Sequence, residues 1–260
     1  MMSSTPQRIV CLSAEAADWL WRLGAWDAVV GVTAYFEPPP SAASKPRVSG
    51  FSSASLTPIL QFSPDLVVTF SDVQAGIAGA LVNHGVPVLA TNQRTLAEVE
   101  ATLALLARVV GCETVGERLR GEFREKLSPV VVAARPRVYF EEWDNPLITG
   151  IAWVSELIER AGGMDVFAKL RHQRAAPSRV ISPEQVRVAN PEIILASWCG
   201  KPVNKTVFQS RPGWMEISAV RNDRIYEIPS ADILQPGFRL IQGYEAMKQF
   251  IKAFTPQPAA

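Results

Sequence analysis

The chain is poor in the residues that build disulfide frameworks and metal clusters. Its 260 residues include only three cysteines, Cys11, Cys112 and Cys199, and two histidines. An odd number of widely spaced cysteines argues against a disulfide scaffold and fits a reducing compartment. Two histidines leave little from which to build a zinc site. We therefore expect neither a disulfide nor a bound metal, and no cofactor.

Excess charge of one sign and long apolar runs are also missing. The 26 Lys and Arg residues face 25 Asp and Glu residues, so no basic surface favours nucleic acid as a partner. No run of about eighteen apolar residues occurs, so we expect no membrane insertion. The opening MMSSTPQRIVCL lacks the segments of an export signal. These features predict a cytoplasmic monomer, or a periplasmic one if a signal segment has been removed.

Short apolar runs alternate with helical patterns along the rest of the chain, which is typical of parallel α/β layers. Thr95 and Glu98 form a capping-box pattern that opens an amphipathic helix ending near Gly111. Residues 113–132 carry apolar side chains every four residues and predict a rigid connecting helix. The predicted strands cover residues 8–12, 28–33, 65–70, 87–91, 137–140, 192–196 and 224–228. The predicted domains are an N-terminal lobe 1–112, a backbone helix 113–134 and a C-terminal lobe 135–260.

Two segments of the chain resemble each other. SLTPILQFSPDLVV starts at Ser55 and SPEQVRVANPEIIL starts at Ser182, and in both a proline and an acid follow the serine at the same spacing. Each copy predicts a short helix, a turn and a buried strand, so the repeat indicates two lobes of like topology. Helix–proline–strand units occur in many α/β proteins, and chance similarity is the alternative.

Two equivalent lobes would place a ligand between them, at the carboxyl ends of the strands. Aromatic rings there supply apolar area for a large planar ligand, while amides and carboxylates orient it. Any single ring could instead be core, and the acid pair 141–142 could be a solvated turn. The candidate ligand contacts are Tyr35, Phe51, Phe70, Asp72, Arg94, Glu141, Glu142, Trp143, Trp153, Trp198, Cys199 and Asp232.

Motifs of catalysis are absent from the sequence. It contains no nucleophile elbow, no phosphate loop and no histidine cluster, so we expect a binding protein rather than an enzyme. A second hypothesis is a chelatase-like enzyme in which Asp72, Glu141, Glu142 and Cys199 cradle a metal. Spacing alone does not select those four residues.

Motifs over nearly the whole chain resemble the helical-backbone substrate-binding proteins of ABC importers, and most closely their cobalamin-binding branch. They include RIVCLSAEAADWLWRLGAWDAVVGVTAY, PRVYFEEWDNPLITG, ELIERAGG and PGWMEISAVRNDRIYEI. The resemblance implies an α/β fold of two Rossmann-like lobes with parallel sheets, joined by one long backbone helix, as in class III periplasmic binding proteins. It also implies cobalamin or a related corrinoid as the ligand. A ferric siderophore, haem or a corrinoid-processing enzyme are the alternatives.

By position, the cobalamin-contacting aromatics of that branch fall on Tyr35, Phe51 and Phe70. Two further lining aromatics fall on Glu142 and Ser178, so one wall of the expected cleft is more polar than in the family. Three tryptophans are candidates to compensate: Trp143, Trp153 and Trp198.

The resemblance also implies a docking contact with an ABC permease through one surface carboxylate from each lobe. Glu184 keeps the carboxylate of the C-terminal lobe, but Thr57 stands at the N-terminal position. Losing one charged contact weakens docking. We therefore hypothesise a cytoplasmic corrinoid-binding or sensing protein derived from the importer fold.

Overall fold

The computed structural model describes residues 5–50 and 52–254. They form two compact lobes, the first comprising residues 5–93 and 97–123 and the second residues 94–96 and 124–254. The strands are β1 Ile9–Cys11, β2 Val29–Thr33, β3 Arg47–Ser49, β4 Leu66–Phe70, β5 Val88–Thr91, β6 Arg137–Asp144, β7 Leu147–Thr149, β8 Met164–Asp165, β9 Ile193–Ala196 and β10 Ile225–Glu227. The helices are α1 Ala14–Arg22, α2 Leu56–Leu60, α3 Ala75–Asn83, α4 Leu96–Val109, α5 Glu113–Lys126, α6 Ala152–Arg160, α7 Pro183–Ala189, α8 Lys205–Ser210, α9 Ser218–Arg221, α10 Ser230–Ile233 and α11 Leu240–Lys252.

The first lobe is built on a five-stranded sheet in the order β3-β2-β1-β4-β5, with parallel pairing throughout. Ile9 of β1 lies opposite Val29 on one side and Leu66 on the other. All-parallel sheets are covered on both faces, which is why their strands are continuous apolar runs. The central residues Val10 and Val67 are accordingly fully buried.

The second lobe combines parallel and antiparallel pairing. Strands β10, β9 and β6 are parallel neighbours, and β8 pairs with the start of β6. Strand β7 returns antiparallel along the end of β6, so the sheet is mixed where the sequence predicted only parallel strands. Tyr139, Phe208 and Trp214 fill its core and are fully buried.

The two similar segments have the same local structure in the two lobes. Helix α2 leads to β4 and helix α7 leads to β9, each through a residue in the left-handed region, Ser63 with φ 43° and Asn190 with φ 42°. A left-handed residue ends a short helix and turns the chain into the strand. The conformation of the turn therefore repeats along with the sequence pattern.

An acidic residue closes this turn in both lobes. The Asp65 carboxylate accepts the backbone N–H of Arg8 at 2.9 Å, at the start of β1. The Glu192 carboxylate accepts the backbone N–H of Arg137 at 2.9 Å, at the start of β6. Each acid thereby joins the turn to the neighbouring parallel strand and satisfies a backbone donor that the ladder leaves open.

Helix α5 is shorter than predicted and belongs mainly to the first lobe. It ends at Lys126, not at residue 132, because a proline at 129 disfavours helical backbone before it and removes a donor. Gly116 lets α5 approach α4, since a Cβ there would lie 2.5 Å from that of Ala107. Phe123 packs edge-on against Trp19 at 6.0 Å. The lobe boundary falls after Phe123.

Candidate functional site

A buried carboxylate lies at the carboxyl end of β6. Glu141 is fully buried, and its oxygens accept hydrogen bonds from Trp198 Nε1 at 3.0 Å and Tyr139 Oη at 3.1 Å. Arg211 donates to both oxygens, at 2.6 and 3.0 Å. Burial raises the pKa of the Glu141 carboxyl, and the hydrogen bonds from Arg211 oppose that rise. Glu141 therefore holds three chain segments together inside the second lobe.

The partners of Glu141 form an aromatic and cationic stack. Phe208 stacks on Trp198 with ring centroids 5.9 Å apart and a 16° interplanar angle. The guanidinium of Arg211 lies 4.4 Å from the ring centre of Trp214 and 4.9 Å from that of Phe208. A guanidinium between rings gains cation–π attraction as well as its ion pair. The stack ties the loop after β9 and helix α8 to the end of β6.

The next residue, Glu142, has a different arginine partner. Arg179 donates to Glu142 at 2.6 and 3.1 Å and also donates to the Thr149 carbonyl oxygen. The Arg179 side chain is 2% exposed and that of Glu142 is 20% exposed. The two acids thus anchor two different cations.

Two of the predicted ligand contacts are buried in the second lobe. Glu141 and Trp198 are engaged with each other and with the core of that lobe, and their contact with a ligand stays a prediction. Trp153 is likewise buried, with its Nε1 donating to the Ile233 carbonyl oxygen at 2.8 Å. A side chain at the end of an apolar strand can pack into the core or lie at the surface. The sequence alone does not distinguish these two positions.

Trp143 and Lys201 occupy the accessible side of the same strand ends. Trp143 is half-buried, and its Nε1 donates to the Asn145 carbonyl oxygen at 2.9 Å. The Lys201 ammonium lies 4.4 Å from the centre of the Trp143 ring and bonds to Asp144 at 2.7 Å. The accessible part of the Trp143 ring therefore has a cation beside it.

The remaining candidates of the second lobe differ in accessibility. Cys199 is exposed as a residue, but its thiol is partly buried, and that partial burial, followed by the negative charge of Glu142, raises the pKa of the thiol. Asp232 pairs with Arg239 at 2.7 Å, and its side chain is 17% exposed. Arg94 is buried in the wall of a pocket in the second lobe.

In the first lobe the candidates again lie at strand ends. Tyr35 follows β2 and is 50% exposed, whereas Phe70 ends β4 and is 5% exposed. Asp72 is exposed in the turn after β4. Phe51 lies outside the described residues. The expectation that a ligand lies between the lobes stays a prediction.

The metal-cradle hypothesis is wrong for the described chain. Residues 5–50 and 52–254 contain no group of three or more His, Cys, Asp or Glu side chains placed to hold a metal ion. Glu141 and Glu142 instead neutralise arginines. The part of the chain with coordinates also has no helix that is both long and apolar enough to cross a bilayer.

The expected docking carboxylate lies on a short helix of the second lobe. The Glu184 side chain on α7 is 61% exposed and pairs with Arg187 at 2.7 Å. Arg187 also pairs with Glu216, and the hydrogen bond from Arg187 lowers the pKa of Glu184. Thr57, at the matching position on α2, is exposed.

Two α/β lobes, one with a parallel sheet and one with a mainly parallel sheet, match the class III periplasmic-binding-protein fold. The chain belongs to the periplasmic binding protein family, whose family model matches residues 9–231. It is accordingly a substrate-binding protein of the ABC-importer type and not an enzyme. Such a protein binds a small molecule and delivers it to a permease without a cofactor.

Four matches illustrate the similarity. A vitamin B12-binding protein of Vibrio cholerae is 24% identical over 253 residues, covering 95% of this chain and 89% of that protein. The crystal structure of the Vibrio cholerae periplasmic vitamin B12-binding protein matches with a TM-score of 0.73, at 24% identity, over 95% of this chain and 97% of that one. A periplasmic haem-binding protein of Roseiflexus sp. RS-1 matches with a TM-score of 0.80, at 22% identity, over 95% and 98% of the two chains. An ABC transporter substrate-binding lipoprotein of Bacillus subtilis is 24% identical, covering 95% of this chain and 80% of that protein.

These comparisons overturn the expected cytoplasmic location. The family and its relatives are periplasmic proteins or lipoproteins. The inference from free cysteines was wrong because a chain of this length can bury a core large enough to be stable without disulfides.

Proposed function

We propose that the chain is the receptor for a corrinoid, with cobalamin as the leading candidate. The observation that carries the proposal is the match with a vitamin B12-binding protein over 95% of the chain. A cobalamin-binding protein of Halobacterium salinarum, 28% identical over 204 residues, supports the same ligand class; the match covers 75% of this chain and 54% of that protein.

The accessible strand-end aromatics support a large ligand with apolar faces. Tyr35 in the first lobe is 50% exposed, and Trp143 packs partly against the core of the second lobe and leaves the rest of its ring accessible. Both carry polar neighbours, and Lys201 adds a cation beside Trp143. Rings combined with a few polar groups suit a macrocycle that has amide side chains.

Haem is the second candidate. The Roseiflexus haem-binding structure has a higher TM-score than the vitamin B12-binding structure, 0.80 against 0.73. The Lys201 ammonium could pair with a haem propionate, because it lies at the accessible face of Trp143. A corrinoid amide would gain less from that charge.

Titration calorimetry with cyanocobalamin, cobinamide, haemin and a ferric siderophore tests the proposal. We expect one corrinoid to bind and to be released unchanged.

Tyr35→Ala and Trp143→Ala should each weaken binding by about 1–3 kcal/mol, as for other aromatic anchors. Trp21→Ala, in the last turn of α1, is the matched control and should bind as the parent does. Binding of haemin alone would overturn the corrinoid assignment, and equal affinities in all variants would remove both rings from the site.

We also propose that Glu184 contacts the permease. Its side chain is 61% exposed on α7, and Arg187 orients it by donating to both carboxylate oxygens, at 2.8 and 2.7 Å. Thr57 offers no charge on the matching helix α2. The second lobe would therefore supply the stronger electrostatic contact.

A further inference from the structure

A pocket of about 330 Å³ in the second lobe is lined by more cationic than anionic groups. It lies against helix α6 and the 171–174 segment, apart from Trp143 and Lys201. Three guanidinium groups face two carboxylates, which leaves the lining with one excess positive charge before the imidazole is counted. The charged lining residues are Arg94, Arg171, Arg174, His172, Glu156 and Glu159.

Both carboxylates are already engaged within the protein. Glu156 accepts the backbone N–H of Leu96 at 2.8 Å, and Glu159 accepts a hydrogen bond from Arg171 at 3.0 Å. Burial also raises the pKa of Glu156, which disfavours its negative form. The ion pair between Glu159 and Arg171 neutralises both partners, so the excess positive charge of the lining rests on Arg94 and Arg174.

Arg94 gives the pocket a buried donor. Arg94 is only 9% exposed. A guanidinium carries five N–H donors in a fixed fork, which matches the spacing of oxygens in a carboxylate or phosphate group. Arg171 and Arg174 add the same chemistry from the opposite segment.

Helix α6 begins at this pocket and adds to its positive potential. Ala152, its first residue, lines the pocket. The backbone N–H of Trp153 donates to the Arg94 carbonyl oxygen at 3.0 Å, which fixes Arg94 at the start of the helix. The first turn of α6 has no acidic residue. The amino end of a helix attracts anions through its dipole, and here the N–H groups of Trp153, Val154 and Ser155 already donate to the carbonyl oxygens of Arg94 and Ile151, so only the dipole adds to the site.

We propose that this pocket binds a small oxyanion, the phosphate or carboxylate group of a metabolite. The site goes beyond the corrinoid-receptor function, because α6 and the 171–174 segment line it and none of the strand-end rings does; Arg94 is the one residue that it shares with the candidate ligand contacts. Excess positive charge, a buried guanidinium fork and a helix amino end converge on it.

Calorimetric titration of the full chain with inorganic phosphate and with succinate, at low ionic strength, tests the site. We expect saturable binding of at least one of them. Arg174→Gln and Arg171→Gln should each weaken it about tenfold, the effect of losing one hydrogen bond between charged groups. Arg118→Gln, whose side chain is 67% exposed on α5, removes an equal charge from the first lobe and should leave the affinity unchanged.

The outcomes separate cleanly. Binding of phosphate alone assigns a phosphate-bearing ligand, and binding of succinate alone assigns a carboxylate. Absence of saturable binding by either probe overturns the proposal, as does equal weakening in all three variants, which would reflect net charge only. The result does not depend on corrinoid binding, so failure of the receptor function would not affect it.

Discussion

At the residue scale, adjacent acids at the end of β6 neutralise two separate arginines. The sequence marked positions 141 and 142 as polar groups ending an apolar strand, and buried acids require cations. It could not identify the partners, because Arg179 is 37 residues from Glu142 and Arg211 is 70 residues from Glu141. Lys201 was missed for the same reason. Which arginine pairs with which acid depends on how the segments that carry Arg179 and Arg211 pack against β6. Local sequence patterns do not encode that packing.

The pairing of Arg211 with Glu141 predicts a large stability effect. Arg211→Met should lower the free energy of unfolding by about 3–5 kcal/mol, because it leaves a carboxylate buried without its cation. Arg118→Met, at an exposed position, should change the free energy of unfolding by less than about 0.5 kcal/mol. Urea unfolding of both variants gives the comparison, and equal losses would contradict a structural role for the pair.

The same variant should acquire a characteristic pH dependence. Burial raises the folded-state pKa of Glu141 above its usual value, and loss of Arg211 removes the main opposing interaction. A raised acid pKa favours folding below the unfolded pKa, and that advantage is lost as pH rises through the folded pKa. The deficit of Arg211→Met relative to the parent should therefore be smaller at about pH 5 than at about pH 8. A deficit that does not change with pH would show that Glu141 stays ionised in the variant.

At the element scale, long apolar or periodic segments were predictable and short edge strands were not. Strands β1, β2, β4, β5, β9 and β10 and helix α4 lie within the predicted segments or beside their ends. Strands β3 and β8 have three and two residues, too few to show a periodicity. The predicted helix at 113–132 was too long, because the prediction gave more weight to the apolar periodicity than to Pro129. In the structure the helix ends at Lys126.

The paired helices α2 and α7 allow a controlled test of capping. The Ser182 side chain accepts the Gln185 N–H at 3.2 Å, and Gln185 returns a bond to the Ser182 N–H at 2.7 Å. Ser55 begins α2 without a side-chain cap. Ser182→Ala should cost about 1 kcal/mol of unfolding free energy, and Ser55→Ala should cost clearly less. Denaturant unfolding measures both, and a larger loss for Ser55→Ala would contradict the capping assignment.

At the scale of the whole molecule, the two-lobed α/β fold followed from short-range signals that occur twice. The alternation of strands and helices and the repeated turn are both readable within about fifteen residues. The lobe boundary within α5 was not readable, because it depends on Phe123 meeting Trp19 far away in sequence. The cytoplasmic location predicted from composition was wrong, and family membership corrected it.

Docking to a permease is a property of the whole protein and can be measured as such. In a reconstituted importer, Glu184→Ala should reduce stimulation of ATP hydrolysis and increase the salt sensitivity of association, since it removes an exposed charge. Thr57→Glu should act in the opposite direction. Ligand affinity should remain unchanged in both, and a lack of effect on stimulation would rule out α7 as the docking helix.

The ammonium of Lys201 over the ring of Trp143 has a spectroscopic consequence. Five of the seven tryptophans are buried, so solvent scarcely alters their emission. A molecule that displaced the ammonium would change the local field at Trp143 and at Trp198, whose ring centre lies 4.9 Å from the ammonium, and hence the emission wavelength of both indoles. The protein thus carries an intrinsic optical reporter at its strand ends, and occupancy can be followed without attaching a dye.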